Sequence, residues 1–438
     1  MNPMKSKSAI FIIASFLTTA SIAQDRATAS KELASRTGHE IKPVLSKDAP
    51  LFPPGISFSG AVTEEDAVAI ALWNNASLEV AIASLGLARA DVVDAGLLRN
   101  FSLQTLLPIG PKPFEFALQA PIEVIWQRPR RMAAAKLDLE KVSKTLIQNG
   151  LDLVRDARFA FVDLELAQNK TASARESAEL RARIAALTDL RYKAGDISEM
   201  DALAARNDAS NSEERALSFA RDAETAGERL RSLMGLRGDK STISASSGDA
   251  VDIQVPQWDA LMKMSMESRP DLRAAELAIQ AATQKARWER SRILSLVAPI
   301  LSVKEVGSSG VRAGPGIAID APVFNRNQGS ISRADAEVEK NALAYVALRD
   351  KIELEVREAR LQLLQSQESL RRIRTEILPG IQDAIHLAEK AYSSGDASYL
   401  FALESTRQIY DARMREAEAI AAVHRARAQL EHALGRKL

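Results

Sequence analysis

Apolar residues recur at three- and four-residue spacing from about Arg130 to Leu190, through Leu139, Val142, Leu146, Leu153, Ala157, Ala160, Leu164 and Ala167. That interval holds no proline and only Gly150, so the pattern predicts one helix over about 130–190, roughly 90 Å long at about 1.5 Å per residue. A second helical run over about 198–236 follows Tyr192-Lys193-Ala194-Gly195-Asp196, whose Gly-Asp pair suits a chain reversal. The two runs predict a very long hairpin with small, alanine-rich faces. Upstream, Thr63-Glu64-Glu65-Asp66 has the form of a capping box and predicts a helix continuing to about residue 97.

Between these runs the period changes from helical to twofold. Phe101, Leu103, Thr105 and Leu107 alternate with Ser102, Gln104 and Leu106, and Phe114, Phe116, Leu118 and Ala120 alternate with Glu115, Ala117 and Gln119. The alternation predicts strands over about 99–108 and 114–124, joined through Pro108-Ile109-Gly110-Pro111-Lys112-Pro113. A similar pair is expected over about 293–304 and 314–323. Strands of this length with one apolar and one more polar face match the membrane β-barrel pattern.

The second half repeats the first. Tyr392-Ser393-Ser394-Gly395-Asp396 stands 200 residues (392 − 192) after the first Tyr-x-x-Gly-Asp turn, and Ala402-Leu403 and Leu434-Gly435 answer Ala202-Leu203 and Met234-Gly235. Ala321-Pro322 answers Ala120-Pro121, and helices over about 329–391 and 397–436 answer the first hairpin, with a kink expected at Pro379-Gly380. The organisation read from the sequence is a first repeat over 61–240, a linker over 241–257 and a second repeat over 258–438. Four strands cannot close a barrel of the smallest usual size, eight strands, so several chains must share one.

Composition narrows the chemistry. The 438 residues include no cysteine and four histidines, which excludes disulfides, thiol nucleophiles and the common Cys-based metal sites. A net charge of +1 implies no nucleic-acid partner. Lys5 and Lys7, an apolar run from Ala9 to Leu17 and Ser21-Ile22-Ala23 read as an export signal over 1–23. Without a cysteine to acylate, no lipid anchor is expected. Pro43, Pro50, Pro53, Pro54 and Gly55 predict an extended segment over 24–60.

With these elements in place the sequence resembles the outer membrane efflux protein family, the trunk-shaped ducts of tripartite efflux and type I secretion systems. The resemblance rests on the two Tyr-x-x-Gly-Asp turns and on Pro322-Val323-Phe324-Asn325-Arg326-Asn327-Gln328-Gly329, a strand-to-helix junction similar to the heavy-metal cation branch. It implies a mainly α fold in which coiled-coil hairpins form a periplasmic α-barrel and four strands per chain enter a shared trimeric outer-membrane barrel. Its partners would be a periplasmic adaptor, an inner-membrane transporter and outer-membrane lipid. Tyr192, Gly195, Asp196, Asp201, Tyr392, Gly395 and Asp396 would sit at the periplasmic entrance, where an acidic ring including Asp201 would favour cations. Asp201 corresponds to Phe401, so the two hairpins are not expected to make equivalent contacts.

Read as residues alone, Gly195 and Gly395 suit positive φ, and Asp196 and Asp396 can cap the returning helices. Arg128, Arg130 and Arg131 read as solvated residues at a rim, and Met262, Met264 and Met266 as core packing. No phosphate-binding loop, zinc-protease motif or nucleophile elbow occurs, so neither an enzyme nor a cofactor is expected. The function expected is passive conduction of solute, with divalent metal cations favoured as cargo. The alternatives are a type I secretion or organic-solute duct, and a periplasmic coiled-coil protein with no pore.

Overall fold

The computed structural model describes residues 23–41, 52–56, 60–107, 114–122, 124–236, 238, 241–246, 254–294, 297–305, 310–319, 323–381 and 399–438. The expected export signal thus lies almost wholly outside the described residues. The described chain is mainly helical with a small β region.

Its elements run α1 (residues 23–37), β1 (Ala61–Val62), α2 (Glu64–Asn74), α3 (Ala76–Gly96), β2 (Ser102–Leu106), β3 (Glu115–Gln119), α4 (Val124–Lys193) and α5 (Glu199–Leu233). There follow β4 (Ser244–Ala245), α6 (Trp258–Ser268), α7 (Pro270–Ser291), β5 (Val297–Glu305), β6 (Val311–Ile319), α8 (Gln328–Arg372) and α9 (Tyr399–Leu434). They divide into two compact units. One comprises described residues of 1–29, 80–147 and 270–351, the other those of 30–79, 148–269 and 352–438. Each unit draws on both sequence repeats, so neither repeat is a domain.

Several expectations are corrected. The segment 24–60 is not all extended, because the prolines begin only at Pro43 and the preceding Ala-, Lys- and Glu-containing stretch forms α1. Leu33 of α1 lies against Gly150, where a Cβ would come within 2.8 Å of it, which accounts for the lone glycine of that interval. The linker 241–257 holds β4, which pairs in parallel with β1. Helix α4 begins at Val124 and carries Pro129 near its start, upstream of the expected 130. The kink expected at Pro379-Gly380 has a different form. The α-ladder passes into a π-turn over Ile373–Ile377, and the Leu378 N–H donates to the Ile373 carbonyl five residues back. Pro379 crowds the carbonyl of Thr375, four residues back, and favours the wider turn.

The helix expected from Thr63 to about 97 is two helices, bent by 45° between Asn74 and Ala76. The Asn75 side-chain carbonyl accepts from the Ser77 N–H at 2.9 Å and caps α3, while its amide donates to the Leu233 carbonyl at the end of α5 at 3.0 Å. The second repeat has the same break, with Pro270 as the first residue of α7. Here Arg269 donates to the Ala433 carbonyl at the end of α9, 3.4 Å away. Backbone angles match at the two breaks, φ −68° and ψ 123° at Asn75 against φ −68° and ψ 121° at Arg269. Gly235 and Gly435, at φ 66° and 73°, end the hairpins and press on Asn74 and on Ser268-Arg269 respectively. The duplication read in the turns therefore extends to the way each hairpin ends on its own helix break.

The second unit is centred on α2. Thr63 and Asp66 close the capping box, and every residue from Ala67 to Leu72 is buried. Ile70 packs with Phe161, Leu164, Leu230 and Met234 from α4 and the end of α5. No single helix among the described residues is long and apolar enough to cross a membrane; the bent pair α2–α3 passes that test together, and α2's apolar character is spent on this core.

Beside it lies a buried ionic cluster. Arg158 is 2% exposed and its guanidinium meets Glu64, Glu65 and Glu431. Glu65 also accepts from Lys437 Nζ at 3.0 Å and from His39 at 2.5 Å. The His39 contact, with help from Lys437 and Arg158, holds the Glu65 carboxyl down at about 2 against the burial that opposes it.

Two outcomes follow for purified protein. Gly195 has φ 84° with open space around it, whereas a Cβ at Gly235 would lie 2.3 Å from the Asn74 carbonyl oxygen. Thermal unfolding should show Gly195→Ala costing about 1 kcal/mol and Gly235→Ala roughly 3 kcal/mol or more, and equal midpoints would refute the packing argument. Glu65, with its folded pKa below the ordinary 4.5, contributes stability that is fully present above pH 4.5 and is lost as pH falls toward 2. The melting midpoint of Glu65→Gln should accordingly lie below that of the parent near neutral pH and converge with it in acid; parallel curves would exclude this linkage.

Candidate functional site

The sequence-predicted positions fall in two places, one in each unit. In the second unit, α4 ends in a Schellman turn. The Asp196 N–H donates to the Arg191 carbonyl at 2.9 Å, the Gly195 N–H to the Tyr192 carbonyl at 3.0 Å, and Gly195 takes φ 84°. Tyr192, Gly195, Asp196 and Asp201 are all exposed there. Asp196 does not cap α5, because Ser198 holds the N-cap position. Its hydroxyl oxygen accepts from the Asp201 N–H at 3.2 Å and its O–H donates to the Asp201 carboxylate at 2.7 Å. The signal was present in Ser198-Glu199-Met200-Asp201, a residue pattern of the capping-box type.

Just behind the turn, Arg206 of α5 grips Asp189 of α4 through Nε, 2.8 Å from one carboxylate oxygen and 3.1 Å from the other. Deeper in the hairpin, Arg181 and Asp208 pair across the same two helices. These pairs fix the register of the two arms at the end where only Ala202 and Ala205 of α5 are buried. Of the second turn, Tyr392, Gly395 and Asp396 lie outside the described residues.

In the first unit the junction between β6 and α8 is held by polar side chains. Asn327 has φ 61°, a conformation asparagine tolerates, and its N–H donates to the Asn325 side-chain carbonyl at 2.9 Å. Its amide donates to the Glu289 backbone carbonyl at 2.9 Å and carboxylate at 2.8 Å, tying the junction to α7. Glu289 is buried and also receives Arg292 at 2.9 Å. The Gln328 side chain accepts from the Arg326 N–H at 2.7 Å. Gly329 is exposed at the first turn of α8, Phe324 projects with 92% of its surface exposed, and Pro322 lies outside the described residues. The basic cluster of the other junction is not merely solvated. Arg128 Nε donates to the Gly96 carbonyl at 2.8 Å, and Arg131 donates to those of Ala95 and Leu97 at 2.9 and 2.7 Å, closing the C-terminus of α3.

The sheet between these junctions has the order β2–β3–β5–β6 and is antiparallel throughout. Register places Leu103, Leu118, Leu301 and Pro315 in one row and Thr105, Phe116, Val303 and Ala313 in another, both on one face. Pro299 and Ile317 extend that apolar face. The opposite face carries Gln104, Ala117, Ser302 and Gly314, flanked by Ser102, Gln119, Ile300 and Gly316. Both faces are open: on the apolar face Leu103 is 63% and Ile317 68% exposed, and on the opposite face Gln104 and Arg312 are exposed. β2 and β6 are edges with no partner strand among the described residues.

No group of three or more metal-ligating side chains occurs among the described residues. His432 binds Asp152 at 2.5 Å, and burial pushes the His424 imidazole toward its neutral form. Met262, Met264 and Met266 are half-buried, while the buried positions of α6 are Leu261 and Ser265.

Residues 261–436 match the family model described as Outer membrane efflux protein. The cobalt-zinc-cadmium resistance protein CzcC of Cupriavidus metallidurans is 26% identical over 406 residues, covering 92% of this chain and 94% of that protein. Among solved structures, the outer-membrane channel OprN superposes with a TM-score of 0.71 at 20% identity, over 85% of this chain and 90% of the other. The Campylobacter jejuni CmeC outer membrane channel gives 0.68 at 14% identity, over 85% of each chain. The second repeat thus carries the match to the outer membrane efflux protein model, and the fold of the chain is similar to that of the solved outer-membrane channels.

Proposed function

We propose that the protein is the outer-membrane channel of a tripartite efflux system, a passive conduit with no catalytic step. The observation that carries this reading is the two-faced sheet. A sheet with an apolar face, a polar face and two open edges is complete only when its edges pair, its apolar face meets lipid and its polar face meets water. Three chains supplying four strands each would satisfy all three demands in one barrel. The long hairpins, continuing as a periplasmic tunnel, would gain partners for their small faces in the same assembly. A periplasmic adaptor would meet the hairpin ends and link the duct to an inner-membrane transporter. The pore-free coiled-coil alternative leaves the two-faced sheet without a purpose.

Divalent metal cations are the cargo this reading favours, supported by the similarity to CzcC. Native mass measurement after detergent extraction should give a trimer, and a stable soluble monomer would overturn the shared barrel. Deleting the gene should raise sensitivity to divalent metals; sensitivity confined to dyes and detergents would remove the metal assignment and favour an organic-solute duct.

The exposed turn at Tyr192, Gly195, Asp196 and Asp201 is proposed as part of the periplasmic entrance, with its second-repeat counterparts Tyr392, Gly395 and Asp396. The Asp201 carboxylate would focus a cation-attracting potential there. Asp201→Arg should lower cation preference in planar bilayers, whereas Ser198→Ala, which removes the N-cap contact and keeps the charge, should not. Unchanged selectivity in Asp201→Arg would exclude this role.

A further inference from the structure

The charges on the sheet's polar face are not spread along it. Cross-strand register aligns Leu106, Glu115, Lys304 and Arg312 in a single row across β2, β3, β5 and β6. Among the described strand residues of that face, Glu115, Lys304 and Arg312 are the only ionisable ones; the rest, Leu106 aside, are Ser102, Gln104, Ala117, Gln119, Ala298, Ile300, Ser302, Gly314, Gly316 and Ala318.

The row sits at the strand ends that lead into the β2–β3 and β5–β6 turns, away from the ends that lead into α4 and α8. Glu115 and Lys304 approach to 3.9 Å, an open, water-screened pair. Lys304 and Arg312 are direct cross-strand partners. Like charges placed opposite one another destabilise a sheet, so stability alone gives no reason for them to be there. With one carboxylate against two cations, the row carries a net positive charge in every chain.

We propose that Glu115, Lys304 and Arg312 form a net-positive ring around the pore at its exterior mouth, a second selectivity element that favours small anions and hinders cations from re-entering. This rests on the shared-barrel reading, which turns the polar face inward and repeats the row once per subunit. A ring of basic side chains raises the local anion concentration and repels cations over about one Debye length, roughly 10 Å at 0.1 M salt and 3 Å at 1 M. Its sign is opposite to that of the acidic entrance, so cations meet the same barrier in either direction and leave against it only while delivery at the periplasmic end keeps their concentration high inside.

The test is the reversal potential of the full-length protein in planar bilayers under a KCl gradient near 0.1 M. Lys304→Gln combined with Arg312→Gln should shift the potassium-to-chloride permeability ratio toward potassium by about twofold or more. Glu115→Gln should shift it toward chloride, and all differences should shrink in 1 M salt. The three side chains are partly or largely exposed, and native mass should confirm that each variant assembles as the parent does. Conducting variants with an unchanged ratio would overturn the ring and leave the channel reading standing. A parent protein that forms no conducting pore would overturn both.

Discussion

A backbone N–H or carbonyl at an open sheet edge needs a partner, and this constraint governs the described sheet. A four-stranded sheet with an apolar face and two open edges is an incomplete object in any solvent, and the chain offers nothing among its described residues to finish it. The same incompleteness recurs in the helices. Small buried residues such as Ala202, Ala205, Ala216 and Gly227 line the inner side of α5, while Leu203 and Leu217 stand exposed on it. Within the chain, stability is concentrated where α2 is enclosed and where Arg158 collects three carboxylates. Removing that guanidinium would leave the largely buried Glu64 and Glu431 to Arg427 alone, a larger penalty than the loss of a surface pair.

The sequence was most legible where a local rule had one solution. Gly195 before Asp196 could be read as a reversal because positive φ favours glycine, and the Thr63 capping box marks the start of α2. The break at Asn75 was hidden because the apolar run of α2 continues into α3 without a proline or glycine. Its cause is the asparagine's reach to Leu233, a residue 158 positions away. The strand β4 was missed because two residues carry no period. Asp196 was credited with the cap because its role as the residue after a Schellman glycine consumes its N–H in a bond that sequence spacing does not reveal. The charged row across the sheet was invisible for the same reason: Glu115, Lys304 and Arg312 are brought together by pairing register.

The repeat and the compact units describe different things. Duplication produced two copies of a helix break, a strand pair and a hairpin. The structure then sorted equivalent pieces of both copies together, strands with strands and hairpin ends with hairpin ends. Asn75 and Arg269 show how far the copies have diverged in residue type without losing a shared role, since an amide in one and a guanidinium in the other hold the closing carbonyls of their own hairpin.

This interleaving also sets an order of events. Arg158 and Glu431 are separated by 273 residues, and Lys437 reaches back 372 residues to Glu65. Closing loops of that length is slow and comes after local helix formation. The second unit therefore has no complete core until the last helix of the chain is available. The turn at Gly435–Lys437 thereby acts as the fastener of the second unit, the contact that joins its earliest and latest pieces.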